Sequence, residues 1–323
     1  MNINSRKSLF SWILKFLIIG ASFWIIYTEV FKREDAGHYF SDFADLIQTS
    51  HFLNLFLPVI FLMFANWFIE SMKWRMLVRK VEEITALQAV EAVLTGITIS
   101  FFTPNRIGEY AGRVFYLKKA DRIKASIIAV IGSLGQMLIT LLFGGLALIY
   151  YFYYIVPLDG FLAATISSLV LILIVLAFIW YFNLTLFTSN IVKWKVFKNI
   201  KQYPEVLGYY SGRELLSVIL FSVARYLIFT TQYFLLLRAL NVDLDFLAGF
   251  MMISMVFFVV TAVPTIALTE LGIRGATAIY FIGLLSTDHF GILMSSFLLW
   301  MINLVVPASI GAVLVLNFKI FRK

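Results

Sequence analysis

The chain has 323 residues, of which 61% are hydrophobic, 17% aromatic and only 14% charged, and its mean hydropathy is +0.92. Soluble domains carry about 25% charged residues, so this balance points to an integral membrane protein with no soluble domain of useful size. The formal net charge of +8 sits in short loops between apolar runs, which argues for anionic headgroups as neighbours and against a nucleic-acid partner. There are no cysteines, so disulfides and thiolate chemistry are excluded; the three histidines (His38, His51, His289) are widely separated, so a histidine metal cluster is not expected and no cofactor is implied.

The first apolar run, 10–31, follows Arg6 and Lys7. It is longer than the apolar core of a secretory signal and ends without a small-residue cleavage site, so it reads as a retained span. A second span, 52–72, leads into the basic group Lys73, Arg75, Arg79 and Lys80. The next apolar run, 87–102, has basic loops on both sides, the second carrying Arg113, Lys118, Lys119, Arg122 and Lys124. A crossing there would place a basic loop outside, against the positive-inside rule. The spacing therefore predicts a re-entrant hairpin, 87–119, entering from the cytoplasm and turning at 103–108. A closing span completes a first half, 1–156.

The second half, 157–323, repeats the order. Spans 161–187 and 215–237 enclose the basic group Lys193, Lys195, Lys198 and Lys201. The run 246–263 is followed by a polar loop, 264–274, and a short apolar piece, 275–287, with Asp243, Asp245 and Asp288 at the flanks. That final piece covers about 20 Å, short of a hydrocarbon core of roughly 30 Å. The expectation is a hairpin, 246–287, entering from outside; a full crossing with a short return helix has the same end points. The run 290–318 closes the chain.

The expected architecture is thus an all-α polytopic membrane protein with about six full spans and two re-entrant helical hairpins. The two halves start on opposite sides of the membrane and form an inverted repeat. Pro104 and Pro264 at the hairpin tips correspond at an offset of 160 residues. Both termini are expected in the cytoplasm. Paired broken helices of this kind are a transporter architecture.

Charge at membrane depth marks the candidate site residues. In the first tip Arg106, Glu109 and Arg113 fall on one helical face, with Gly108 and Gly112 beside them for close helix approach. Pro104 ends the incoming helix and Asn105 is placed to cap the outgoing one. In the second tip Glu270 and Arg274 share a face, with Gly272 between them and Pro264 opening the loop. Arg225 sits in mid-span with no acid one turn away, so its partner must come from another element, Glu109 or Glu270. These charges either lock the hairpins or line a polar path for a headgroup. Asn66, Glu70, Glu91, Gln136, Gln232 and Asn303 are expected to make interhelical hydrogen bonds. P-loop, HExxH and GxSxG motifs are absent from the sequence.

The segment Pro104-Asn-Arg-Ile-Gly-Glu-Tyr-Ala-Gly-Arg113 resembles the Pro-Gly-Arg-x-Gly-Glu signature of the lysylphosphatidylglycerol synthase transmembrane region, the flippase-like part of multiple peptide resistance factors. Pro264 and the stretch Glu270-Leu-Gly-Ile-Arg274 resemble its second signature, and the span layout agrees over nearly the whole chain. Asn105 stands where the family has glycine, the second acid precedes its glycine, and Ser133-Leu-Gly-Gln136 replaces a Glu-Arg pair of many relatives. The aminoacyl transfer domain of the full synthases is missing from this sequence, so the resemblance implies a protein that binds or moves a membrane phospholipid in a bacterial inner membrane rather than one that makes it. The alternatives are an anchor for a separate cytosolic enzyme, docking through basic loops such as 193–201, or an enzyme acting on a lipid-linked phosphate or sugar.

Overall fold

The computed structural model describes Trp24, Tyr27, Thr28 and residues 36–103, 106–184, 204–264 and 267–317. Most of the first expected span, Pro104, Asn105 and the basic loop 193–201 lie outside the described residues. Every regular element among the described residues is helical, and the protein is an all-α polytopic membrane protein.

A short helix α1 (Ala36–Leu46) precedes the long α2 (Ser50–Val78). Two short helices follow, α3 (Ala86–Phe101) and α4 (Gly108–Val114), then α5 (Arg122–Tyr150), which ends in a π-helical turn, Tyr151–Ile155. The second half contains α6 (Gly160–Phe182), a 3₁₀ turn, α7 (Gly212–Ala239), α8 (Phe246–Ala262) and α9 (Ala267–Ile282). The last long helix is broken: α10 (His289–Trp300), a π turn (Met301–Val305) and α11 (Val306–Asn317). Five of these helical stretches are long and apolar enough to cross a membrane, namely Ser50–Val78, Arg122–Ile155, Gly160–Phe182, Gly212–Ala239 and His289–Leu316. By contrast α3, α8 and α9 have 16, 17 and 16 residues, about 24–26 Å of helix at 1.5 Å per residue.

The polar residues between the apolar runs set the helix starts. Thr49, Asp121, Asp159, Asp245 and Asp288 each accept a backbone N–H of the following first turn. Thr85 with Gln88, and Ser211 with Glu214, form reciprocal capping boxes on α3 and α7. The start of α4 is different. The Thr103 hydroxyl accepts the Gly108 N–H at 2.8 Å, so a residue of the incoming strand of chain caps the outgoing helix. In the last span, Pro307 follows the π turn and lacks the N–H that a regular helix would supply at that position.

Helices α3 and α4 pack closely because both faces are glycine. A Cβ on Gly112 would lie 2.5 Å from the Gly96 Cα, and one on Gly108 would lie 2.8 Å from the Ile99 carbonyl oxygen. On the other side of α3, Gly311 of α11 meets the Leu94 carbonyl. The two short pairs are each gripped by the closing helix of the other half: α11 packs on α3, and α5 packs on α8. Helices α2 and α7 pack along each other at the centre. Gly272 is buried within α9, and Pro264 is exposed in the loop before it.

Helix α6 touches α5 and buries only Ala163, Ile174 and Tyr181. Its remaining surface, including Leu169, Leu171, Ile172, Val175 and Leu176, is exposed and apolar, as a lipid-facing helix requires. At one end of the bundle the Glu82 carboxylate accepts the backbone N–H groups of Lys118, Lys119 and Ala120, at distances from 2.8 to 3.1 Å. Partial burial pushes the Glu82 pKa up, but these three donors and the Lys119 charge outweigh it and hold the carboxyl below its ordinary value. Glu82 thereby ties the loop after α2 to the loop after α4.

Two large apolar cores form among the described residues, beside a smaller cluster of Phe52, Ala239 and Leu240. One gathers around Trp74, Leu77, Ile128, Ile131, Tyr181 and Val218, the other around Val59, Met63, Tyr233, Leu236, Met252 and Ile292. Along α2 the polar residues Asn66 and Glu70 fall between Met63 and Trp74; along α7, Arg225 falls between Val218 and Tyr233. A polar layer thus separates the two cores.

Candidate functional site

The polar layer begins on α2, where Asn66, Glu70 and Lys73 recur at i, i+4 and i+7 and share one face. Glu70 is the hub. Its carboxylate meets Lys73 Nζ at 2.7 Å, Arg113 Nη2 at 2.7 Å, and Arg225 Nη1. Arg225 also donates from Nε to Asn66 Oδ1 at 3.0 Å. Arg113, from the short helix α4, pairs with Glu109 one turn earlier. Asn303 in the π turn extends the layer: it donates to Gln232 Oε1 at 3.2 Å, and Gln232 in turn donates to the Val59 carbonyl at 2.9 Å. The break in the last span thus places an amide where buried polar groups need partners.

A second hub is Glu270 on α9. Arg274 donates to it at 2.7 Å from one turn along the same helix. Arg106, 164 residues away in sequence, reaches it from the first tip and donates from Nη2 to both oxygens, at 3.0 and 2.8 Å. Arg106 has φ 56, the left-handed region that a non-glycine residue enters at a cost of about 1–3 kcal/mol. The contact it makes across the molecule is a return on that strain. Its side chain is 40% exposed, whereas that of Glu270 is 5% exposed.

Glu70 lines a cavity of about 450 Å³, whose wall also includes Lys73, Arg106, Glu109, Arg225 and Arg274 together with Ser133, Gln136, Thr140 and Asn303; Glu270 reaches this wall through its partners Arg106 and Arg274 and itself lines the adjoining cavity. A second cavity of similar size, about 450 Å³, runs beside α8 and shares Arg106, Val260, Thr261 and Arg274 with the first. Trp67 lines the first cavity and also an apolar groove of about 430 Å³ formed with Phe64, Phe68, Leu94, Pro307 and Ile310. Aromatic faces help hold the cations without water. The Arg225 guanidinium lies 5.3 Å from the Trp67 ring, Arg113 5.7 Å from Trp74, and Arg274 5.9 Å from Phe257.

The ion-paired cluster contains five cations (Lys73, Arg106, Arg113, Arg225, Arg274) and three carboxylates (Glu70, Glu109, Glu270), a formal excess of two positive charges. A positive, partly apolar chamber of this kind favours an anion.

All six charged residues singled out from the sequence belong to this cluster; Glu109 with Arg113 and Glu270 with Arg274 pair one turn apart, while two further pairings differ from those expected. Arg225 meets Glu70 rather than Glu109 or Glu270, and Arg106 crosses to Glu270 instead of resting on its own tip. Glu270 and Arg274 lie within helix α9, not in a loop. Gly108 and Gly112 hold α4 against α3, while Pro104 and Asn105 lie outside the described residues. Lys73, assigned above to a basic loop, is buried and paired within the cluster. Its sequence signal is the shared face with Asn66 and Glu70 on an otherwise apolar helix.

No curated protein and no solved structure matches the chain. A family model does, over residues 12–311, and it is that of the lysylphosphatidylglycerol synthase TM region. With the match spanning nearly the whole length, the chain belongs to the lysylphosphatidylglycerol synthase TM region family.

Proposed function

We propose that this protein binds a membrane phospholipid by its headgroup and carries it across the bilayer of a bacterial inner membrane. The observation that carries the reading is the cavity between the two hubs: a positive chamber of about 450 Å³ among helices of membrane-spanning length. Charge is expensive there and is retained where it handles a polar substrate. Arg106 and Arg274 would contact the phosphate, with Glu270 setting their geometry. The acyl tails would remain in lipid, on the side where Trp67 divides the chamber from the apolar groove.

We further infer that residues 1–156 and 157–323 are inverted copies, each with a re-entrant pair, α3–α4 or α8–α9. The reciprocal packing of α11 on α3 and of α5 on α8 supports this, as does the shortness of those helices against a core of roughly 30 Å. With the basic loops on the cytoplasmic face, both termini are cytoplasmic. Alternating access would then rock one tip against the other about the Arg106–Glu270 contact.

The test is reconstitution. Proteoliposomes holding phospholipids with dye-labelled acyl chains are treated with an impermeant quencher. Quenching beyond the outer-leaflet half, dependent on this protein and absent from empty vesicles, is the expected result. Protection of the inner half in both preparations would overturn the reading.

A further inference from the structure

The donors and acceptors around the cavity bear on which headgroup it takes, given the lipid-carrying reading above. Each carboxylate of the cluster is already engaged: Glu70 by three cations, Glu270 by two arginines and Glu109 by Arg113. A substrate ammonium would have to displace an arginine or lysine to reach Glu70 or Glu270, and at Glu109 it would share a carboxylate that Arg113 already neutralises through Oε1. Donors, in contrast, are in surplus. Arg106 and Arg274 each bond to protein acceptors through Nη2 alone, and Arg225 through Nε and Nη1, among the described residues. The buried Nε of Arg274 and the indole N–H groups of Trp67 and Trp300, all on residues of the cavity wall, have no acceptor among the described residues. The buried wall acceptors without a partner among the described residues are neutral: the Tyr226 hydroxyl, and Gln136 Oε1, an amide oxygen that can exchange places with its own NH₂ by a flip.

Arginines with donors to spare around a chamber with two excess positive charges call for an anion that accepts many hydrogen bonds. We propose that the cavity selects an anionic phosphate headgroup with no ammonium group, a phosphomonoester or an unsubstituted phosphodiester, over zwitterionic and cationic headgroups. A phosphomonoester, with up to two negative charges and three terminal oxygens, matches the excess best.

Gln136 is the position that sets this choice, since it is the wall residue where a carboxylate could stand without an arginine to cover it. Gln136→Glu, nearly isosteric, would supply a free acceptor and remove one unit of the positive excess.

The test uses the purified full chain. Quenching of its tryptophan fluorescence is titrated with short-chain phosphatidic acid, phosphatidylglycerol, phosphatidylethanolamine and lysylphosphatidylglycerol, and with inorganic phosphate. Translocation of the same four headgroups is followed in proteoliposomes. The expected order is phosphatidic acid, then phosphatidylglycerol, each at least about tenfold ahead of the two amine-bearing lipids, as loss of one charge-assisted contact and one unpaired carboxylate would give. Inorganic phosphate at the same concentrations is expected to be silent. In Gln136→Glu the ratio should fall by about tenfold.

Equal or better binding and movement of the amine lipids by the wild type would overturn the selectivity and leave lipid carriage standing. Saturation by inorganic phosphate alone, with no lipid moved, would reassign the cavity to free phosphate. No binding and no movement of any lipid would overturn both proposals.

Discussion

Replacing Glu70 with alanine is expected to destabilise the protein by about 3–5 kcal/mol, the largest single effect in the molecule. Glu70 is buried and neutralises Lys73, Arg113 and Arg225 at once. Its removal leaves Lys73 and Arg225 with no carboxylate partner among the described residues, while Arg113 keeps Glu109. An uncompensated charge in a low-dielectric layer is far more unfavourable than a missing pair, so the loss exceeds that of any one hydrogen bond. Glu70→Gln should fall between, since an amide keeps acceptor geometry but not charge. Removing Arg225 and Glu70 together, as Met and Gln, should restore part of the stability, because the charges leave in pairs. Thermal unfolding of the purified variants in detergent measures this series. A Glu70→Ala melting curve superimposed on the wild type would mean that the hub does not hold the bundle.

The second large effect is on function. Arg106→Gln should lower phospholipid movement at least about tenfold, the loss of one charge-assisted headgroup contact, while changing stability by less than about 1 kcal/mol. The separation follows from position. Arg106 is 40% exposed, and Glu270 retains Arg274 when Arg106 is gone. Glu270→Gln behaves differently, because it strands two arginines and should lose both movement and stability. Arg106→Lys is not expected to rescue, since an ammonium cannot offer a planar fork to phosphate. Quencher protection in proteoliposomes, read beside detergent melting curves, separates the two variants. If Arg106→Gln moved lipid at the wild-type rate, the first tip would have only a structural role.

Much of the fold was legible because its signals are local. Hydropathy located the long helices, while the capping residues Thr85, Asp121, Ser211 and Asp245, which set where they begin, were not read from the sequence. Charge in an apolar background picked out Arg106, Glu109, Arg113, Arg225, Glu270 and Arg274 from sequence alone. The pairings were not legible. Arg106 with Glu270 and Arg225 with Glu70 join residues 164 and 155 positions apart, and only the packing of separate helices decides such partners.

Lys73 shows a second limit. Next to Arg75 and Arg79 it reads as part of a loop patch, yet α2 continues through it to Val78 and carries it into the layer beside Glu70. The π turn at Met301–Val305 is a third case. Pro307 removes one helical N–H there, as Pro58 does within the unbroken α2, so the sequence does not signal that a π turn would bring Asn303 to Gln232. The polar layer was therefore visible as a set of residues before it was visible as a network.

The central claim is that a phospholipid headgroup enters the cavity between the two hubs. The most direct measurement is photo-cross-linking with a phospholipid whose headgroup carries a diazirine, followed by mass-spectrometric mapping on the full chain in vesicles. The account predicts cross-links on cavity-wall residues such as Trp67, Gln136, Thr140 and Thr261, diminished in Arg106→Gln. Cross-links confined to outward-facing residues such as Phe61, Phe161 and Leu176, with none on the cavity wall, would contradict it.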